Sequence, residues 1–192
     1  MAERVPVIVV TDGDRTAAAA VEAAAQELGL EVLGRSAGNP TPLKGRELVD
    51  AVLRKAPGPV VVMVDDRGDP DTGPGERALR TLLRSPELDV LGVVAVAADT
   101  RPVEGVEADQ SVSRAGDLVE GAVDKRGHPR TGLLRGDTVD VLREFPRVPV
   151  VGLGDPGKMD GHDAPGAGAP LTRAALEAVL REAGRLPAGR ER

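Results

Sequence analysis

The chain has 192 residues, 41% hydrophobic and 29% charged, with a formal net charge of −6. That composition suits a folded domain with a proper core, and an acidic balance argues against broad electrostatic binding to nucleic acid or anionic lipid. The absence of cysteine excludes disulfides, thiolate zinc sites and Cys nucleophiles, and a single aromatic residue, Phe145, leaves no platform on which to stack bases.

Val5 to Val10 is apolar apart from Pro6 and predicts a buried parallel strand. Thr11-Asp12-Gly13-Asp14-Arg15 follows it as a small acidic loop. A helix from about Thr16 to Leu28 carries Ala17, Val21, Ala24, Ala25 and Leu28 on one face and ends at Gly29. Glu31–Leu33 predicts a short second strand, and residues 36–42 form a loop of turn formers. A second helix spans about Lys44 to Lys55. Val60 to Val64 is the third strand and ends at Asp65-Asp66. A Gly/Pro/Asp-rich loop from Arg67 to Gly75 precedes a helix over about Gly75 to Leu83. Val90 to Ala97 is the fourth strand.

The pattern then changes. Residues 109–130 alternate and hold two turn signals, which predicts a small β-hairpin insert beside the main sheet. A short helix from Thr138 through Phe145, a fifth parallel strand over Val148–Leu153 and a polar loop from Gly154 to Gly161 follow. The last helix is expected to be capped by Thr172, with Leu171 and Leu176 as a hydrophobic staple, and to end at Gly184. Residues 186–192 are expected to be a frayed tail on one α/β domain spanning 1–185.

Apolar strands alternating with amphipathic helices predict a doubly wound α/β fold, Rossmann-like, with expected strand order 2-1-3-4-5. Ligands of such sheets bind outside the carboxyl ends of the strands, where the order reverses. Asp12, Asp14, Asp65, Asp66 and Asp155 all fall on that edge. Clustered carboxylates repel unless a hard cation lies among them, so Asp12, Asp14, Asp65 and Asp66, with Glu76 from the next helix, are candidate Mg²⁺ ligands. Asp is equally a helix cap or a loop former, and Glu76 equally a negative charge at a helix N-terminus. Ser36, Asn39 and Thr41 at one strand end and Lys158 at another are candidate ligand contacts, although turn chemistry and a plain surface lysine explain them as well. Lys158 does not complete a P-loop, and no GxGxxG occurs, so there is no nucleotide motif. His128 and His162 have no assigned role; His162 is expected to be a solvated loop residue.

The blocks Thr11–Ala17, Ser36–Thr41, Val61–Gly68, Leu91–Ala97, Gly136–Leu142 and Gly152–Met159, in this order, resemble the soluble stage V sporulation protein AE family of endospore-forming bacteria. The resemblance spans Val5 to about Leu180. It implies a role in spore formation or germination alongside the membrane machinery that moves dipicolinic acid, with partner proteins at the spore inner membrane, and it implies no particular reaction. Asp12-Gly13-Asp14 after an apolar strand also resembles locally the Mg²⁺-binding Asp-x-Asp of Toprim domains. That family's Glu on an earlier strand has no counterpart here, because only Met1 to Arg4 precede the first strand. Three functions stay open on the sequence: a sporulation accessory protein, a Mg²⁺-dependent phosphoryl-transfer or phosphate-ester enzyme, and a small-molecule sensor. No signal peptide or spanning segment is evident, so a cytoplasmic place in the spore or forespore is expected, with peripheral association at its inner membrane and self-association left open.

Overall fold

The computed structural model describes residues 3–68, 72–100 and 103–186. The expected loop over Arg67 to Gly75 thus falls partly outside the described residues, and the expected frayed tail lies outside them from residue 187 on.

A central sheet is built from β1 (Val5–Val10), β2 (Glu31–Val32), β3 (Val60–Met63), β4 (Leu88–Val96), β5 (Gln110–Val112), β6 (Leu118–Val119) and β9 (Val150–Leu153). Between β6 and β9 come β7 (Ala122–Val123) and β8 (Pro129–Arg130), which pair antiparallel as a separate ribbon. The helices are α1 (Arg15–Leu28), α2 (Gly45–Arg54), α3 (Pro74–Arg84) and α4 (Pro170–Glu182). The α/β class is as expected.

Strand alternation distributes the core. Val7 and Val9 of β1 face one side with Leu48, Val49, Leu79 and Leu82 from α2 and α3. Ile8 and Val10 face the other side with Val21, Ala24, Leu176 and Val179 from α1 and α4. Both faces are covered, which is why the central strands β1 and β3 are apolar along their length.

The sheet order is β2-β3-β1-β4-β9-β5-β6, which corrects the expected 2-1-3-4-5. The third strand lies between the second and the first. β1 is buried along its whole length and needs substantial partners on both edges. Nine-residue β4 pairs with it on one side and β3 on the other. Two-residue β2, carrying exposed Glu31, suits an edge. The adjacency of β1 and β3 holds. Their following helices pack on opposite faces, so a switch-point crevice opens between them.

The insert is less separate than expected. β5 runs parallel beside β9 and so extends the main sheet, and β6 folds back antiparallel on β5. The expected short helix is a 3₁₀ turn over Asp140–Glu144. At α4 the cap is corrected as well. The helix begins at Pro170 and Thr172 lies in its first turn. Buried Asp163, arriving from the preceding loop, accepts hydrogen bonds from the Leu171 and Thr172 amides at 2.8 and 3.0 Å. Leu171 and Leu176 are both inside the helix and packed on the sheet, so they form no staple across its start.

Candidate functional site

The crevice is stitched together by backbone. Thr11 N–H donates to Val94 at the end of β4, and Val64 N–H donates to Val10 at the end of β1. Gly13 then passes close beside the 36–42 loop, whose Gly38 N–H donates to the Gly13 carbonyl at 2.8 Å. A Cβ on Gly13 would stand 2.5 Å from the Gly38 carbonyl oxygen, so only glycine allows this approach.

Asp12 and Asp65 meet at the mouth of the crevice. Asp65 is buried, and its Oδ2 and Oδ1 accept from the Gly13 and Arg67 amides at 3.0 and 2.8 Å. Burial pushes the Asp12 carboxyl up to about 8, with the charges of Asp14, Asp65 and Asp155 adding to the rise. Burial raises Asp65 too, against the stabilising hydrogen bonds from the amides and from Asp12. Burial thus disfavours the charged form of both carboxyls in this pair. Asp155 at the end of β9 is raised by burial, and Lys158 opposes that rise. Lys158 Nζ lies 3.5 Å from Asp14 and 4.0 Å from Asp155, on the rim of the crevice.

The five carboxylates expected to act together fall into two groups. Asp12, Asp14 and Asp65 converge with Asp155. Asp66 and Glu76 stand apart at the start of α3. Asp66 accepts from the Gly75 and Glu76 amides at 2.7 and 3.0 Å, one per oxygen, and so caps that helix from a distance. Burial raises Asp66 to about 6 and Glu76 to about 7, the latter helped by the nearby Asp66 charge. Asp14 caps α1, accepting from Ala17 N–H at 2.8 Å. Among the described residues no three His, Asp or Glu side chains are arranged as a ready-made metal site.

The ligand-contact candidates also divide. Ser36 is buried and structural: its hydroxyl donates to the Leu33 carbonyl and accepts from Met63 N–H at 2.9 Å. Thr41 is likewise spent on the Asp65 backbone, accepting from its amide at 2.7 Å and donating to its carbonyl at 3.1 Å. Asn39 is exposed and borders an open hollow of about 480 Å³ together with Gly13, Asp14, Arg15, Ala37 and Gly38. Asn39 and Lys158 are the two candidates that remain available.

The model of the stage V sporulation protein AE1 family matches residues 6–183. The chain belongs to the stage V sporulation protein AE family. Comparison with curated proteins and with solved structures returns no match. The family match takes in both strand ends of the acidic crevice, the antiparallel ribbon and α4. The chain is thus a sporulation protein, and no described helix is long and apolar enough to cross a membrane.

Two features escaped the sequence. Asp163 is not singled out there, yet it is fully buried with four hydrogen bonds. Its place seven residues before Pro170, where Ala169 offers no capping side chain, was the available signal. Arg114 was unmarked because its partners, His128, Asp160 and His162, come from separate segments.

Proposed function

We propose that this chain serves spore formation as an accessory protein of the dipicolinic-acid transport machinery, and that its β1/β3 crevice takes up a divalent cation such as Mg²⁺. The observation that supports the cation is the meeting of the buried Asp12 and Asp65 carboxyls between the ends of β1 and β3, with Asp14 and Asp155 beside them. Carboxyls crowded together out of water disfavour their charged forms, and a hard cation placed among them relieves that cost. Asp14 and Asp155 supply further oxygens at the rim, and Lys158 would swing away as the cation entered. Partner proteins at the spore inner membrane fit the family role.

Titration calorimetry with Mg²⁺ and Mn²⁺ tests the cation. Binding accompanied by proton release, lost in Asp12→Asn and Asp65→Asn, is expected. No heat in the wild type would sink the cation. The accessory role is read separately, as a reduced dipicolinic-acid content in spores carrying a deletion of the gene.

A second reading draws on the same pair. A Mg²⁺ held by Asp12 and Asp65 would orient and polarise a bound phosphoester, as a Mg²⁺-dependent phosphoryl-transfer or phosphate-ester enzyme requires. Turnover of a phosphoester panel favours it, and binding without turnover favours the accessory protein.

A further inference from the structure

Both histidines of the chain direct Nε2 at one guanidinium. Arg114, in the turn after β5, has Nη1 3.0 Å from His128 Nε2 and Nη2 3.1 Å from His162 Nε2. Its Nη1 also donates to Asp160 at 3.1 Å. His128 sits in the turn between β7 and β8, whereas Asp160 and His162 sit in the loop after β9. One side chain thus fastens the antiparallel ribbon to the strand-end loop.

A guanidinium can only donate, so both imidazoles must offer a lone pair at Nε2. Each ring is then neutral with its proton on Nδ1. At His128 a second contact agrees: Nδ1 lies 3.4 Å from Asp124 Oδ2, where an N–H is favoured. Protonating either ring places an N–H against the Arg114 N–H groups and sets two cations about 3 Å apart. The His128 side chain is 43% exposed and His162 is exposed, so solvent protons reach both.

We propose that Arg114, His128 and His162 form a pH-sensitive clamp, closed while both imidazoles are neutral and opened by their protonation. The surrounding charges do not remove the conflict. Asp160 is already engaged by Arg114, and Asp124 is shared with Arg130 at 2.6 Å and with the amides of Arg126 and His128. Lys125, next on the ribbon, pairs with Asp99, and its carbonyl accepts from Asp155 N–H at 2.8 Å. Buried Met159 lies against Gly127 and Gly154, between ribbon and loop. The loop carries Asp155 and Lys158, so opening the clamp loosens one wall of the acidic crevice. That consequence rests on the cation reading above; the clamp itself does not.

Nitrogen NMR of the ligand-free protein tests the clamp directly. At pH 8 both rings are expected as the Nδ1–H tautomer, the minor form of free histidine. Acidification to pH 5 should shift the amide resonances of residues 124–128 and 160–163 together. In His128→Gln/His162→Gln the glutamine oxygens accept from Arg114 at any pH, and those amide shifts should be lost. An Nε2–H tautomer on both rings at pH 8 overturns the proposal. So does an acid response in the double variant equal to that of wild type.

Discussion

Asp65 Oδ2 accepts the Gly13 amide proton at 3.0 Å, across the gap between the ends of β1 and β3. This bond ties the two strand-end loops at the point where α1 and α3 depart to opposite faces of the sheet. Gly13→Ala would drive a Cβ to 2.5 Å from the Gly38 carbonyl oxygen and 3.3 Å from Asp65 Cβ. Overpacking against backbone costs about 1–3 kcal/mol. Urea denaturation should show that loss, together with loss of any cation heat in calorimetry.

Stability should fall as pH rises through the neutral range. Asp12, Asp66 and Glu76 titrate in the folded chain near 8, 6 and 7, above the ordinary carboxylate range. Between about pH 4 and those values the folded state binds more protons than the unfolded state, so raising the pH favours unfolding. The urea midpoint is expected to drop from pH 5 to pH 8. Asp12→Asn keeps an acceptor for Asp14 N–H and has no proton to lose, so it should flatten the drop above pH 7. A midpoint that rises across this range would contradict the buried-carboxyl account.

Ser36→Ala separates architecture from binding. It leaves the buried Met63 amide without its acceptor and removes the tie to the Leu33 carbonyl. A buried polar group left unpaired costs about 1–3 kcal/mol. Thermal unfolding should shift by that amount while any Mg²⁺ binding heat, measured well below the melting transition, stays as in the wild type. Asn39→Ala is expected to be silent in stability.

Asp163→Ala is expected to be among the most damaging single changes. It orphans the amides of Gly157, Leu171 and Thr172 and the Thr172 hydroxyl in a buried setting. A loss of about 3 kcal/mol or more follows from several unpaired buried groups. Asp163→Asn retains one acceptor oxygen and should recover part of it. Circular dichroism during urea unfolding measures both.

Much of the site was legible because strand ends are legible. An apolar run stopping at Asp12 or at Asp65-Asp66 places those carboxylates on one edge of the sheet before any coordinates are known. Their grouping was not legible. Asp66 lies next to Asp65 in the chain, but alternation along the backbone sends it to the start of α3, where two amides claim it. Ser36 and Thr41 are polar loop residues of the kind that contact ligands, and only the depth of the loop reveals them as ties to β3.

The sequence by itself determined the α/β class, the parallel strands, the acidic edge and the resemblance to the sporulation family. Those follow from hydrophobic period and residue type, which are local. The tertiary structure decided the order of β3 and β1, the capping of α4 by Asp163, the meeting of Asp12 with Asp65, and the meeting of His128 and His162 on Arg114. Each depends on residues far apart in the chain, held together by packing that strand patterns, nearly alike in their apolar composition, do not distinguish.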